Sequence, residues 1–216
     1  MNRSSNTLFA VLALIAGLLI SVYPDQASAV QAKSQTSPAE LEAITMLGAD
    51  TRALPEFELI DHHSKTLDRS RFKCKWSLMF FGYTSCPDVC PTTLNTISHV
   101  VSALHDPRVQ DTVKVYFVSV DPGRDKPELL ASYMNYFNPD FIAATSDVNN
   151  LDILTDALGV SYRIGKKAEG DPSYTVDHSG FVALINPDVE FAGLLFTDPA
   201  QVQAVARDLT RLVNGR

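Results

Sequence analysis

The sequence has no basic stripe, and this lack excludes one large class of partners. Its 216 residues include 18 Lys and Arg against 25 Asp and Glu, which gives a formal net charge of -7. Nucleic-acid-binding domains concentrate Lys and Arg on one face or along one helix. We therefore expect no nucleic acid as a partner, and the acidity favours a partner with a basic docking face.

The sequence also lacks an apolar run of the roughly 20 residues that a membrane-spanning helix needs. Its apolar N-terminal run, residues 8–20, follows Arg3 and precedes Ala27-Ser28-Ala29. A basic start, a short apolar stretch and a small-residue cleavage site are typical of a secretory signal. We expect residues 1–29 to be such a signal, with an uncleaved membrane anchor as the alternative. In either case the folded part is predicted to be extracytoplasmic, in the periplasm or facing it.

Cysteine is scarce, since the chain has only Cys74, Cys86 and Cys90. No cysteine directly follows the N-terminal apolar run, so we expect no lipid anchor. Outside the cytoplasm cysteines usually pair, and an odd number leaves at least one unpaired or joined to another chain. Apolar and basic residues alternate from Phe72 to Trp76. We therefore expect Cys74 to be the unpaired cysteine, buried on the inward face of a strand as a small hydrophobe.

The other two cysteines follow an apolar run, Trp76–Phe81, that predicts a buried strand ending at Gly82. Ligand sites in α/β folds lie beyond the carboxyl ends of strands. If the corner is helical through Cys90, the i, i+4 spacing puts Cys86 and Cys90 on one face, with Cβ atoms about 5–6 Å apart. That separation suits either a disulfide or two thiolates on one soft metal ion.

Strand and helix patterns alternate along the rest of the chain and define the fold class. The predicted order is β, β-α, β-α, β-α, β-β-α, closed by a hairpin of Phe181–Ile185 and Glu190–Phe196. This order predicts an α/β domain with a mixed central sheet and helices on both faces. A cysteine pair between the first long strand and a helix makes the sheet thioredoxin-like. We expect this domain over residues 54–216, after a linker over residues 30–53 that contains a short helix, residues 38–47.

Four of the five histidines have ordinary structural explanations. His62 and His63 are adjacent in a predicted turn and point apart, which favours a solvated turn over a metal site. His99 lies off the apolar face of its predicted helix. His105 lies near the end of that helix, where it interacts with the negative end of the dipole. We assign none of these four a ligand role.

Three separated motifs together resemble the Sco/SenC family of copper-binding proteins. They are FGYTSCPDVCP at 81–91, VSVDPGRD at 118–125 and YTVDHSGFVALINPD at 174–188, and they occur in the family's order. The resemblance spans residues 54–213. One departure is Ser85, which stands where many family members have His, at a position that is not a ligand.

The resemblance implies that copper binds to Cys86, Cys90 and His178. His178 lies just ahead of an apolar strand, where a thioredoxin-like fold brings the chain beside the cysteine corner. Thiolates are soft and select Cu(I), whereas imidazole suits both Cu(I) and Cu(II). Two sulfurs and one nitrogen leave the ion three-coordinate and open for release. Structural zinc sites are closed by four ligands, and we find no fourth residue at zinc-ligand spacing.

Three acidic residues are expected near this site without being ligands: Asp121, Asp125 and Asp177. The resemblance favours Asp121 and Asp125 as residues that lie near the copper and affect docking or redox tuning. The alternative is turn chemistry, in which Asp121 ends a strand and Asp125 caps the next helix. Asp177 can orient the His178 ring, although neighbouring residues on a strand point apart.

The resemblance implies a metallochaperone rather than an enzyme. Copper would come from an upstream donor and pass to the dinuclear copper centre of cytochrome c oxidase, after a thiol reductant has opened any Cys86–Cys90 disulfide. The alternative is a thiol–disulfide oxidoreductase that reduces the copper-site cysteines of the oxidase subunit. The C-x-x-x-C spacing is one residue longer than the thioredoxin motif, and residues 176–178 stand where thioredoxins place a cis-proline. A thiol peroxidase ranks third, because only Thr84 fits its motif.

Overall fold

A computed structural model describes residues 41–165 and 174–215 of the chain. The predicted signal or anchor, residues 1–29, and the first part of the predicted linker, residues 30–40, lie outside this description. Among the helices in the two described ranges, none has both the length and the apolar composition needed to cross a bilayer.

The predicted strands and helices of the domain occur in their predicted order, with five short strands and one short helix in addition within the described residues. In chain order they are β1 (Thr45–Met46), β2 (Arg52–Ala53), β3 (Leu59–Asp61), β4 (Thr66–Leu67), β5 (Trp76–Gly82), α1 (Val89–Ser102), α2 (Pro107–Thr112), β6 (Val113–Ser119), α3 (Pro127–Phe137), β7 (Ile142–Thr145), α4 (Val148–Leu158), β8 (Tyr162–Ile164), β9 (Val176–His178), β10 (Phe181–Ile185), β11 (Glu190–Phe196) and α5 (Val202–Asn214). Short 3-10 turns occupy Gly48–Asp50, Arg69–Phe72 and Pro199–Gln201.

The main sheet is mixed, with strand order β1-β11-β10-β5-β6-β7-β3-β4 and β2 also on β11. Strands β5, β6 and β7 are parallel. Strand β10 runs antiparallel to β5, and β11 antiparallel to β10, so the predicted closing hairpin is confirmed. The predicted α/β class, a mixed central sheet with flanking helices, is confirmed as well. Strands β8 and β9 form a separate two-stranded sheet.

The two central strands follow directly from composition. All seven residues of β5 are buried, and six of the seven residues of β6. A parallel strand covered on both faces is encoded as a continuous apolar run rather than as an alternating one. Local signals set the helices in the same way: Asp147 accepts a hydrogen bond from the Asn150 amide at the start of α4, and Gly159, at φ 68°, ends it.

Residues before the predicted domain start at residue 54 also belong to the main sheet. Thr45 pairs with Leu194 and Ala53 with Glu190, so β1 and β2 extend the main sheet along β11. The helix expected over residues 38–47 is therefore wrong for its described part, which contains β1. A two-residue strand has no measurable period, and its conformation is decided by the distant strand with which it pairs.

The predicted burial of Cys74 is also wrong. The residue is exposed rather than buried, and its φ of 60° places it in a left-handed turn between a 3-10 turn and β5. Its amide donates to the Pro187 carbonyl at 3.0 Å. The apolar alternation from Phe72 to Trp76 is real, since both of these residues are buried. The segment between them is a turn, however, so the period of two does not determine which way Cys74 points.

Candidate metal centre

Cys86 and Cys90 lie on the loop and helix that follow β5. The corner is not helical through Cys86, because α1 begins only at Val89. Instead the Cys86 amide donates to the Tyr83 carbonyl at 3.2 Å, and the Cys90 amide contacts the Cys86 sulfur at 3.5 Å. A turn followed by the first turn of a helix thus brings the two sulfurs together. Cys90 is fully buried and Cys86 is half-buried.

Gly82 makes room for the Cys90 sulfur at the end of β5. A Cβ on this residue would lie 2.7 Å from Cys90 Sγ and 2.9 Å from a ring carbon of Phe117. Both separations are shorter than real Cβ contacts, so any larger residue has to displace the thiol or the ring. The absence of a side chain at Gly82 is therefore a requirement of the site.

His178 reaches the cysteines from β9. Its Nε2 lies 3.3 Å from Cys90 Sγ, and its Nδ1 lies 3.0 Å from the Ser179 carbonyl oxygen. A carbonyl only accepts, so this second contact favours the tautomer with the proton on Nδ1 and a free lone pair on Nε2. The rings of Phe80 and Tyr83 pack edge-on against the imidazole, with centroids 5.9 and 6.0 Å away.

Of the two possibilities for Asp177, the structure supports the one in which it points away from His178 and does not orient the ring. Its carboxylate is largely exposed and lies 3.9 Å from Arg163, on the opposite side of the strand from the imidazole. The Ser179 carbonyl takes that role instead.

The structure brings together the three side chains that the sequence analysis proposed as ligands. Cys86 Sγ, Cys90 Sγ and a ring nitrogen of His178 all lie within 4.8 Å of one another. Within residues 41–165 and 174–215, no other group of three or more His, Cys, Asp or Glu side chains meets this condition. Metal bonds to sulfur and nitrogen are about 2.0–2.3 Å long, so two ligands of one ion lie up to about 4.6 Å apart. The three donors are close to that separation without rearrangement of the backbone.

Burial is the main influence on the pKa of the Cys90 thiol. It raises the pKa of the Cys90 thiol well above its ordinary value, and Cys86 and the Asp125 carboxylate raise it further. Cys90 is therefore a neutral thiol at neutral pH when no metal is present. An ion that binds there has to displace its proton.

Asp125 lies near the cysteines but holds a loop rather than a metal. Its carboxylate accepts from the Thr84 amide at 2.9 Å, the Thr84 hydroxyl at 2.6 Å and the Ser119 hydroxyl at 2.5 Å. The alternative prediction, that Asp125 caps the next helix, is wrong because the N-cap of α3 is Lys126, with no side-chain cap bond.

Asp121 is joined to the segment that leads to His178. Its carboxylate accepts from the Tyr174 hydroxyl at 2.7 Å and from Arg124 Nε. Arg124 in turn donates to the Tyr174 carbonyl at 2.9 Å, and its guanidinium lies 3.6 Å from the centroid of the Tyr174 ring. Sequence reasoning missed Thr84, Arg124 and Tyr174, although all three lie inside the motifs that carry the family resemblance.

His62 and His63 lie in a turn, as predicted, but the expectation that their side chains point apart is wrong. Their ring centroids are 4.0 Å apart, and the Ala143 amide donates to His62 Nδ1 at 2.9 Å. Burial and the neighbouring His63 lower the pKa of His62. Neither belongs to a group of metal-binding side chains in the described parts of the chain.

Comparison with known proteins points to a single family. A family model described as SCO1/SenC matches residues 46–214. A protein from Stutzerimonas stutzeri that is named as copper-binding is 32% identical over 173 residues, which are 80% of this chain and 83% of that protein. An SCO2-like protein from Rickettsia prowazekii is 37% identical over 142 residues, which are 66% of this chain and 68% of that protein.

A solved structure gives the same result. The structure of Bradyrhizobium japonicum ScoI with copper bound is 32% identical, with a TM-score of 0.66, and the match covers 74% of this chain and 99% of that one. This likeness confirms the predicted thioredoxin-like fold.

Proposed function

Because this chain belongs to the SCO1/SenC family, we propose that it binds one copper ion through Cys86, Cys90 and His178. The observation that supports this most directly is the convergence of two thiols and an imidazole within 4.8 Å of one another. Two soft sulfur donors favour Cu(I), and the imidazole adds a donor that also suits Cu(II). The chemistry of the donor set thus fits copper, the metal held by the relative from Bradyrhizobium japonicum.

We propose further that copper is a cargo and that the protein is a metallochaperone. Cys86 and His178 are only half-buried, so a partner's ligands can reach the ion from one side while Cys90 holds it from below. Loading Cu(I) onto the two thiols forms two copper–sulfur bonds and releases two protons. The recipient we propose is the dinuclear copper centre of cytochrome c oxidase, with an upstream copper donor and a thiol reductant as further partners.

The location we propose is outside the cytoplasm, in the periplasm or facing it. The reasons are the arrangement of Arg3, the apolar run over residues 8–20 and the small residues at 27–29. Residues 1–29 then act as a cleaved signal or as an anchor, and the chain up to about residue 40 acts as a linker to the folded unit.

A second candidate function rests on the unequal burial of the two cysteines. Cys86 is half-buried and Cys90 is fully buried, which suits an accessible sulfur that forms a mixed disulfide and an inner sulfur that resolves it. In that reaction the target's disulfide gains two electrons and becomes two thiols, while Cys86 and Cys90 lose two electrons and form a disulfide. The contact of Cys90 with His178 favours the copper function over this one, because it places an imidazole donor beside the two thiols.

Copper titration of the full chain tests the proposal. The chain is fully reduced under anaerobic conditions and titrated with Cu(I) against a competing chelator, beside Cys90→Ser and His178→Ala. We expect one tightly bound copper in the parent and affinities weaker by about a hundredfold or more in both variants, which is about 2.7 kcal/mol. Cys74→Ser and His63→Ala are the matched controls, because both residues are exposed and lie outside the site.

Two results would contradict the proposal. A parent chain that loses copper to a modest chelator has no functional metal site. An unchanged affinity in His178→Ala leaves only a bare dithiol. Either result would favour the thiol–disulfide oxidoreductase.

A further inference from the structure

We infer that the turn over residues 121–125 positions both halves of the metal centre through two separate anchors. Asp125 holds the cysteine loop, residues 83–90. Asp121 and Arg124 hold the histidine ribbon, which consists of strands β8 and β9. The distance between the thiols and the imidazole is then set by one short turn. This inference deepens the proposed copper function and rests on it.

The first anchor is a buried carboxylate that joins the cysteine loop to the end of β6. Asp125 is fully buried and accepts both the amide and the hydroxyl of Thr84, two residues before Cys86. It also accepts the hydroxyl of Ser119, the last residue of β6. All three of these hydrogen bonds are accepted by the one buried carboxylate. The loop is therefore attached to the central sheet before any metal binds.

The second anchor is needed because the histidine ribbon has no strand pairing with the main sheet in the described ranges. Tyr174, two residues before the start of β9, donates its hydroxyl to Asp121, and its carbonyl accepts a hydrogen bond from Arg124. The guanidinium also stacks on the Tyr174 ring at 3.6 Å, a distance at which a cation–π contact is favourable. These contacts anchor the ribbon at Tyr174, which is four positions before His178 in the sequence.

Hydrogen bonds within the turn hold its backbone in one conformation, so the turn fixes the position of one anchor relative to the other. The Asp121 amide donates to the Ser119 hydroxyl at 3.1 Å. The amides of Arg124 and Asp125 donate to the Asp121 carbonyl at 3.2 and 3.0 Å. Asp121 and Asp125 act through Thr84 and Tyr174, so they are positioning residues and not ligands.

Hydrogen exchange of the metal-free, reduced full chain tests the two anchors separately. In Asp125→Asn we expect the amides of residues 83–86 to exchange at least about tenfold faster, while residues 175–179 keep the parent rate. In Arg124→Ala we expect the amides of residues 175–179 to exchange faster by a similar factor, while those of residues 83–86 keep the parent rate. Thr84→Val and Tyr174→Phe remove a single hydroxyl donor from each anchor and test the same pattern if a larger change prevents folding. Asp208→Asn is the matched control, because it alters a buried carboxylate in α5.

Copper spectroscopy adds a readout that general loosening of the fold does not reproduce. We expect both anchor variants to bind copper about 10–100-fold more weakly, as outer partners of metal ligands usually do when mutated. With Cu(II), Arg124→Ala should lose the nitrogen coupling in its electron paramagnetic resonance spectrum, as His178→Ala does. Asp125→Asn should retain that coupling and change the thiolate-to-copper absorption band.

The possible outcomes separate this inference from the function on which it rests. Equal acceleration of both segments in both variants, or no acceleration in either, would overturn it. So would parent-like copper affinity and spectra in variants whose exchange has changed. A parent chain that binds no copper would refute the proposed function, while the exchange pattern would still decide whether the two anchors exist.

Discussion

Two regions of this protein use the same device for different ends. In each, a fully buried carboxylate binds a segment far away in the chain. Asp125 binds Thr84, 41 positions earlier, and thereby the cysteine loop. Asp208, in α5, accepts three consecutive amides, those of Glu42, Ala43 and Ile44, at 3.0, 2.8 and 3.1 Å.

The difference lies in what each bound segment carries. The segment bound by Asp208 leads into β1 and β2, which extend the sheet edge at β11, and it contains no proposed ligand. The segment bound by Asp125 carries both cysteines. A buried carboxylate can thus serve stability in one place and ligand geometry in another, and the two roles are separable by experiment.

The largest effect on stability should come from Asp208→Ala. Three consecutive amides, of which that of Ile44 is buried, lose their shared carboxylate acceptor, and we expect the free energy of unfolding to fall by about 3 kcal/mol. Copper affinity should stay within about twofold of the parent, because no ligand-bearing segment is touched. Urea denaturation of the apo chain, followed by the fluorescence of the buried Trp76, measures the first quantity and Cu(I) competition the second.

Asp147→Ala is the control for this change, since it removes an exposed helix cap whose carboxylate accepts from the backbone amide and the side chain of Asn150. It should lower stability much less than Asp208→Ala does. A loss of copper affinity in Asp208→Ala that parallels its loss of stability would contradict the separation of roles.

Gly82 and Gly193 allow the same comparison between a site that affects only stability and a site that also affects copper binding. A Cβ at Gly82 meets Cys90 Sγ at 2.7 Å, and one at Gly193 meets the Thr45 carbonyl at 2.8 Å. Each Ala substitution overpacks its site, and we expect each to lower the free energy of unfolding by about 2 kcal/mol. Only Gly82→Ala should also weaken copper binding, because only there is a proposed ligand displaced.

Gly180→Ala is the matched control near the metal centre, since a Cβ there meets nothing within 4 Å. It should resemble the parent in stability and in copper affinity. The comparison fails if Gly193→Ala weakens copper binding as much as Gly82→Ala does.

The smallest expected effect concerns the reactivity of Cys90. Its pKa is raised by burial, so at neutral pH its alkylation is limited by a small thiolate fraction. The rate should rise about tenfold between pH 7 and pH 8. In Asp125→Asn we expect roughly tenfold faster alkylation at fixed pH, because the loop opens and a neighbouring negative charge is removed.

Peptide mapping by mass spectrometry follows each cysteine separately, and the exposed Cys74 provides an internal standard. Asp208→Ala should leave the Cys90 rate at the parent value. Identical Cys90 rates in the parent and in Asp125→Asn would show that the carboxylate does not hold the loop closed.

Most of the sheet could be predicted from sequence, and the reason is local. A strand covered on both faces appears as an unbroken apolar run, as in β5 and β6. The short strands β1 and β2 could not be predicted, because two residues carry no period. Cys74 was misassigned because an alternating pattern continues across a turn with φ of 60°.

The candidate site likewise has a part that the sequence predicts and a part that it does not. Its three proposed ligands could be named from motifs, but their separation could not. The partners of Asp121 and Asp125 were not predictable either, because Tyr174 and Thr84 are 53 and 41 positions away and a hydrogen bond over such a distance leaves no periodic trace.

By itself, the sequence determined the order of the longer strands and helices, the continuous burial of the central strands and the chemical identity of the three donors. These properties depend on side-chain type and on neighbours a few positions away. The tertiary structure alone decided that Cys90 Sγ lies 3.3 Å from His178 Nε2 across 88 positions of chain. It alone also decided that Asp125 binds a loop and that Cys74 faces solvent. Those outcomes depend on how the sheet brings distant segments together, and no local pattern specifies that.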